Sequence, residues 1–264
     1  MEDKFTKSNF MRMSQDALDF QLSSLYPIQA GKDPIRVNLV FLNHDRNFST
    51  FLTIKHLVKH GRVADIYTLS RSMFESVISM GLLAKRLVKA DIERYQDFQY
   101  VEIYKTYNHL KKLGLERVSG VPSSEIDFVY KKRTEYIKKW GPNISSWSGK
   151  SLEQNIKLVD ENYAPTCNEE HFYEYLYCQV YRKGSQLTHS SFAGLSKVVD
   201  IERSSIPGVI TAQRFKASES HLIFSCFHSL LVFLSSVRFL GYLLDKEETE
   251  EYFRNIAEYI ISEN

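Results

Sequence analysis

Two groups of polar residues interrupt otherwise apolar helical stretches of this sequence. The first is YRKGSQLTHSS, in which Arg182 and His189 are separated by six residues. Seven steps along a helix return to within about 20° of the starting direction, roughly 10 Å further along the axis. Both side chains therefore face the same way, and Tyr181, Lys183, Ser185 and Gln186 fill the interval beside them. An imidazole can take the proton of an RNA 2′-hydroxyl, and a guanidinium can stabilise the pentavalent phosphate that follows. That route needs neither a metal nor a cofactor. Catalytic roles are expected for Arg182 and His189, and substrate contacts for Tyr181, Lys183, Ser185 and Gln186.

The second group is LSRSMFESV, which holds Arg71 and Glu75 one helical turn apart. At 100° per residue Arg71 shares its face with Ala64, Tyr67, Phe74, Ile78 and Leu82, so its guanidinium is aimed inward. A cation there needs a partner, and Glu75 is within reach at i+4. The pair either fixes helix packing or lines the site, and Arg71 and Glu75 are taken with the catalytic group. Tyr173, Tyr177 and Tyr181 recur at i, i+4 and i+8, a stripe suited to core packing or to stacking bases.

Other motifs are weaker. His56 and His60, with His44 a few turns earlier, have no close acidic third ligand and no internal glutamate, so a metal site is not expected. Lys131, Lys132, Arg133, Lys138 and Lys139 form a basic helix, the best local place for phosphate contact. A phosphate-cradling glycine loop, a G-x-S-x-G elbow and a dinucleotide fingerprint are all missing, which argues against kinases, hydrolases of that type and dehydrogenases.

The elements that must carry these residues read as helices throughout. Glycine and proline are scarce, at 11 and 6 among 264 residues. Helices are expected over about 3–26, 35–60, 62–89, 91–117, 123–140, from a Ser151/Gln154 capping box, from Asn168 to about His189, over 218–244, and after Lys246. GVITAQRF reads as a short extended piece. The fold class is all-α, a multi-helix bundle with long antiparallel helices. One domain over 1–264 is expected: N-terminal helices (1–60), a motif-bearing core (61–191), an irregular insertion (192–216) and C-terminal helices (217–264). The run Leu222–Leu244 is apolar enough to raise a membrane question. Its His228, Arg238 and serines are costly in hydrocarbon, so a buried core helix is expected. A net charge of +2 gives no global field for polyanions. Cys167, Cys178 and Cys226 lack metal-type spacing, and the N-terminus lacks the apolar run of a secretion signal. Reduced thiols and a cytoplasmic location are expected.

With both groups in view, the chain resembles a bacterial family of uncharacterised helical proteins that pair an R-x-x-F-E helix with a later helix ending in serine and histidine. The matching residues are Arg71, Phe74, Glu75, Ser185 and His189, and the likeness runs from about His60 to Ser191. The spacing from Arg182 to His189 also resembles the R-x(4 to 6)-H motif of HEPN-type ribonucleases. Its residue after the arginine, commonly polar, is here Lys183. This resemblance implies a HEPN-like core, metal-independent RNA cleavage, a homodimer whose paired motifs form one cleft, and a role as a toxin or in defence against phage, with RNA and an antitoxin or regulatory protein as partners. The competing expectation is a non-catalytic helical module that binds a partner or small ligand through a buried network of Arg71, Glu75 and His189.

Overall fold

The structure, a computed structural model, describes residues 5–29, 31, 33–142, 145–163, 171–189, 201–203, 210–212 and 219–261. It is an all-α, multi-helix fold. The order is α1 (Lys7–Leu25), α2 (Pro34–Lys59), α3 (Val63–Ala84), α4 (Asp91–Lys112), α5 (Ile126–Trp140), α6 (Leu152–Asn162), α7 (Phe172–Leu176), a π-helical stretch (Tyr177–Arg182), α8 (Lys183–Thr188), α9 (Glu219–Leu243) and α10 (Glu247–Ile261). A small antiparallel hairpin, β1 (Ile201–Arg203) and β2 (Ile210–Ala212), pairs Ile201 with Ala212 and Arg203 with Ile210. The expected extended piece is thus one arm of that hairpin. Asn168, Cys167, Ser190 and Ser191 lie outside the described residues, as does most of 192–216.

Local chemistry sets the helix ends. Thr6 Oγ1 accepts from the backbone N–H of Asn9, and Asp33 caps α2 in front of Pro34. Gly61, with φ of +64°, ends α2 in a conformation that a side chain would strain. Ser151 and Gln154 form the expected capping box at the start of α6.

The centre of the fold is α9, packed against α3, α2, α1 and α10. From Ser225 to Gly241 every residue is buried. The helix is long and apolar enough to cross a membrane, yet 83% of its most apolar window is covered by the rest of the protein. Its polar residues find partners inside that core. His228 Nε2 lies 2.7 Å from the Tyr175 hydroxyl, and its Nδ1 donates to the Phe224 carbonyl. Arg238 makes a two-pronged pair with Glu250 of α10. Ser236 meets His44 of α2 at 3.0 Å, and Ser229 meets Ser70 of α3 at 2.6 Å. These bonds fix the rotation of a helix whose apolar surface alone would not.

At the other end of α2, Arg36 is buried against Asp91, the first residue of α4, and donates to the Leu83 carbonyl at 2.5 Å. Asp33 holds the guanidinium's third edge at 2.9 Å. This pair ties the base of the α4–α5 hairpin to α2 and α3. Removing one member of a buried ion pair leaves the other uncompensated, a cost of about 3–5 kcal/mol. Arg36→Met is therefore expected to lower the unfolding free energy by about that amount in urea denaturation, and a loss under about 1 kcal/mol would contradict the assigned role.

Burial holds the imidazoles of His44 and His228 down to about 4. The unfolded chain then binds protons below its ordinary histidine value of 6.5 that the folded protein refuses, so stability is full above about pH 6.5 and is lost toward pH 4. Asp160, pushed up to about 6 by burial, opposes part of this trend. The unfolding free energy is expected to drop by about 2 kcal/mol between pH 7 and pH 5. His44→Gln with His228→Gln should flatten that profile, and an equally steep profile in the double variant would contradict it.

Candidate active site

The residues of the YRKGSQLTHSS segment sit on one continuous helical run from Phe172 to Thr188, interrupted by the π-helical stretch. A π turn holds more residues than an α turn and shifts the faces that follow it. The tyrosine stripe is divided between the core and its edge. Tyr173 is buried against Phe172 and Phe239. Tyr177 and Tyr181 stack on each other at 5.2 Å, beside α3 and α6. The Tyr177 hydroxyl donates to Glu153 at 2.8 Å, and burial with the Glu153 carboxylate pushes its pKa up to about 12.

From Arg182 onward α spacing resumes, because Arg182 is the last π residue and Lys183–Thr188 are α-helical. His189 caps the run, its N–H bonded to the Ser185 carbonyl at 3.0 Å. At α spacing, seven steps separate Arg182 from His189. One face of the run is locked inward: Val180 and Gly184 are buried, and Leu187 packs on Val63 and Tyr67 of α3. Arg182, Ser185, Gln186 and His189 follow at i, i+3, i+4 and i+7 and share the other face. Arg182 and His189 are exposed, while Ser185 and Gln186 are half-buried. Neither the Arg182 nor the His189 side chain makes a hydrogen bond or ion pair among the described residues. Lys183 turns away from this face and lies over the Phe224 ring of α9 at 4.2 Å, so it is not grouped with the others.

Arg71 is half-buried beside this helix rather than sunk in the core. Its guanidinium lies over the Tyr181 ring at 4.8 Å, reaches the Tyr181 hydroxyl at 3.5 Å and pairs with Glu75 at 3.5 Å. The Glu75 side chain is 48% exposed. Glu75 and His189 both meet solvent, and among the described residues Arg71 pairs with Glu75 and Tyr181. Arg71 thus clamps Tyr181, the residue immediately before Arg182.

Gly184 makes the clamp feasible. A Cβ at this position would sit 2.7 Å from the Tyr67 carbonyl oxygen and 2.9 Å from the Arg71 Cβ. Only glycine lets α8 cross α3 at that separation. Sequence reasoning passed over Gly184, although a lone glycine inside a helix costs about 1 kcal/mol relative to alanine and marks a close approach.

Two histidine groups bear on metal binding. His44 is buried and bonded to Ser236, away from His56 and His60, whose rings are 5.1 Å apart. Asp160, His171 and Glu174 bring ligand atoms within 4.8 Å of one another, a group the sequence reading did not single out. The Asp160 carboxylate accepts from the backbone N–H groups of Tyr173 and Glu174, and His171 Nδ1 lies 2.9 Å from Glu174. These contacts make Asp160 the cap of α7, from a different helix.

Residues 37–206 match a family of unknown function, DUF5677. No curated protein and no solved structure matches the chain. The matched stretch contains both helices of the site.

Gly184→Ala tests the crossing directly. It is expected to destabilise the protein by about 1–3 kcal/mol, the usual cost of overpacking, in thermal or urea unfolding. A change under about 0.5 kcal/mol would show that α8 and α3 are not held at this distance.

Proposed function

The chain belongs to DUF5677, a family whose function is unknown, and for it we propose a metal-independent endoribonuclease activity of the HEPN-like kind. The observation that carries the reading is the shared face of Arg182 and His189. Both are exposed on one side of a helix whose other side is pinned to α3 at Gly184. An acid–base group and a phosphate-binding cation on a rigid element, open to solvent, are what cleavage of an RNA backbone requires.

In this reaction the His189 imidazole takes the proton from a ribose 2′-hydroxyl. The 2′-oxygen then bonds to the adjacent phosphorus, and the bond from phosphorus to the 5′-oxygen breaks. The departing 5′-oxygen takes up a proton from an imidazolium, of the same protomer or of its partner in a homodimer. The products are a 2′,3′-cyclic phosphate and a 5′-hydroxyl, so atoms and charge balance without a metal. Arg182 stabilises the charge that builds on the phosphoryl oxygens. Gln186 and Ser185, on the same face, contact substrate. Arg71 is a positioning residue: its contacts with Tyr181 and Glu75 set the rotation of the helix from which Arg182 projects. In a cell such an activity fits a toxin or a defence against phage, acting in the cytoplasm and restrained by an antitoxin or regulatory protein.

His189→Ala and Arg182→Ala each remove an exposed side chain, so stability should change by no more than about 0.5 kcal/mol. RNA cleavage by the purified protein, and growth arrest on induction, are expected to be lost in both. Cleavage at the wild-type rate by either variant would exclude this mechanism.

A further inference from the structure

The α4–α5 hairpin has chemistry unlike the rest of the molecule. Residues 103–140, the hairpin beyond the first half of α4, carry nine lysines and arginines against four acidic residues, a net of +5, whereas residues 91–102 at its base carry four acidic residues against Arg94 alone. Little of the hairpin is buried: only Asp91 and Val101 of α4, and Val129 and Tyr136 of α5. Its base is firmly held. Asp91 pairs with Arg36, and Arg94 Nε meets the Tyr136 hydroxyl at 3.4 Å. That hydroxyl donates to the Trp147 carbonyl, while the Trp147 indole donates to Ser79 of α3. The hairpin is thus fixed to the body at one end and exposed over most of its length.

Its cations are interleaved with aromatic rings. Arg133 lies over Tyr104 at 4.5 Å, and Tyr104 in turn packs on Tyr130 at 5.8 Å, with Tyr130 54% exposed. Lys132 lies near the exposed Phe128 ring at 5.9 Å. Some cations already have carboxylate partners, including Lys105 with Glu102 and Lys132 with Glu135. Lys111, Lys112, Lys131 and Lys138 are exposed and make no ion pair among the described residues. These groups run along both helices, from near the tip to near the base, a length of about 20 Å. A polyanionic strand presents charge at regular intervals over such a length, and its bases can stack on exposed rings.

We propose that the α4–α5 hairpin is a docking arm for single-stranded RNA, separate from the residues that cleave it. Phosphates meet Lys111, Lys112, Lys131 and Lys138, and bases stack near Tyr130 and Tyr104. This proposal takes RNA, rather than another polyanion, from the nuclease reading above, and for the rest stands on the hairpin's own charge and exposure.

The test uses full-length protein carrying His189→Ala, which should leave the RNA uncut, and a fluorescein-labelled single-stranded RNA followed by anisotropy at several salt concentrations. Adding Lys111→Glu, Lys112→Glu, Lys131→Glu and Lys138→Glu together is expected to weaken binding at least about tenfold near physiological salt and to flatten the dependence of log K on log salt. The corresponding glutamine set, milder for folding, is expected to weaken it less but in the same direction. Affinity within about twofold of the parent, with an unchanged salt slope, would overturn the proposal. So would binding to phosphatidylserine vesicles with none to RNA. The four-lysine set on the wild-type background separates the two readings: undiminished cleavage at low RNA concentration removes the arm and leaves the active site standing, whereas tight binding with no cleavage by the wild type does the reverse.

Discussion

A helix with no polar face can be kept in water only by surrounding it with other helices, and α9 imposes that condition on the whole molecule. Its burial from Ser225 to Gly241 requires α1, α2, α3 and α10 to cover it. The polar groups it carries then become constraints rather than defects. His228, Ser229, Ser236 and Arg238 each bond to a particular neighbour. A uniformly apolar helix could rotate or slide at little cost, whereas leaving any of these groups unpaired costs about 1–3 kcal/mol or more. The position of α3 is set in this way, and α3 is the platform for the candidate site.

What α3 presents outward follows from that placement. Its inward face is occupied by α9 and α2, which leaves the side bearing Tyr67 and Arg71 for the helical run that ends at His189. The run approaches closely enough at Gly184 to be fixed in rotation, with Arg71 clamping Tyr181 one turn earlier. Arg182, Ser185, Gln186 and His189 are then left on the open side. Polar side chains that face solvent from such a rigid element are poor contributors to stability and well suited to meeting a ligand. The same separation of roles holds for the α4–α5 hairpin, anchored through Asp91 and Tyr136 at its base and free along its length.

Much of the fold was legible because long 3.6-residue periodicity and capping chemistry are local signals. Ser151 with Gln154, Asp33 before Pro34, and Gly61 mark helix ends at the expected places. The core role of the apolar run near the C-terminus was readable from His228 and Arg238, and each has a protein partner. The pairing of Arg71 with Glu75 was also legible, since i+4 spacing specifies it. Three features were not. The π-helical stretch is one, since nothing in YCQVYR distinguishes it from α-helix by period. Tyr181 as the platform for Arg71 is a contact between residues 110 positions apart. Asp160 caps a helix from another helix, which local capping rules do not reveal. Each depends on tertiary approach, which the order of residues along one helix does not encode.

The central claim is that an imidazole and a guanidinium on one exposed helical face cut RNA through its own 2′-hydroxyl. The most direct measurement is the chemistry of the ends left when purified protein cuts a defined RNA in the presence of a metal chelator. The account predicts 2′,3′-cyclic phosphate and 5′-hydroxyl ends, and no scission at a position where the ribose lacks its 2′-hydroxyl. Ends carrying 3′-hydroxyl and 5′-phosphate, or cleavage abolished by the chelator, would contradict it.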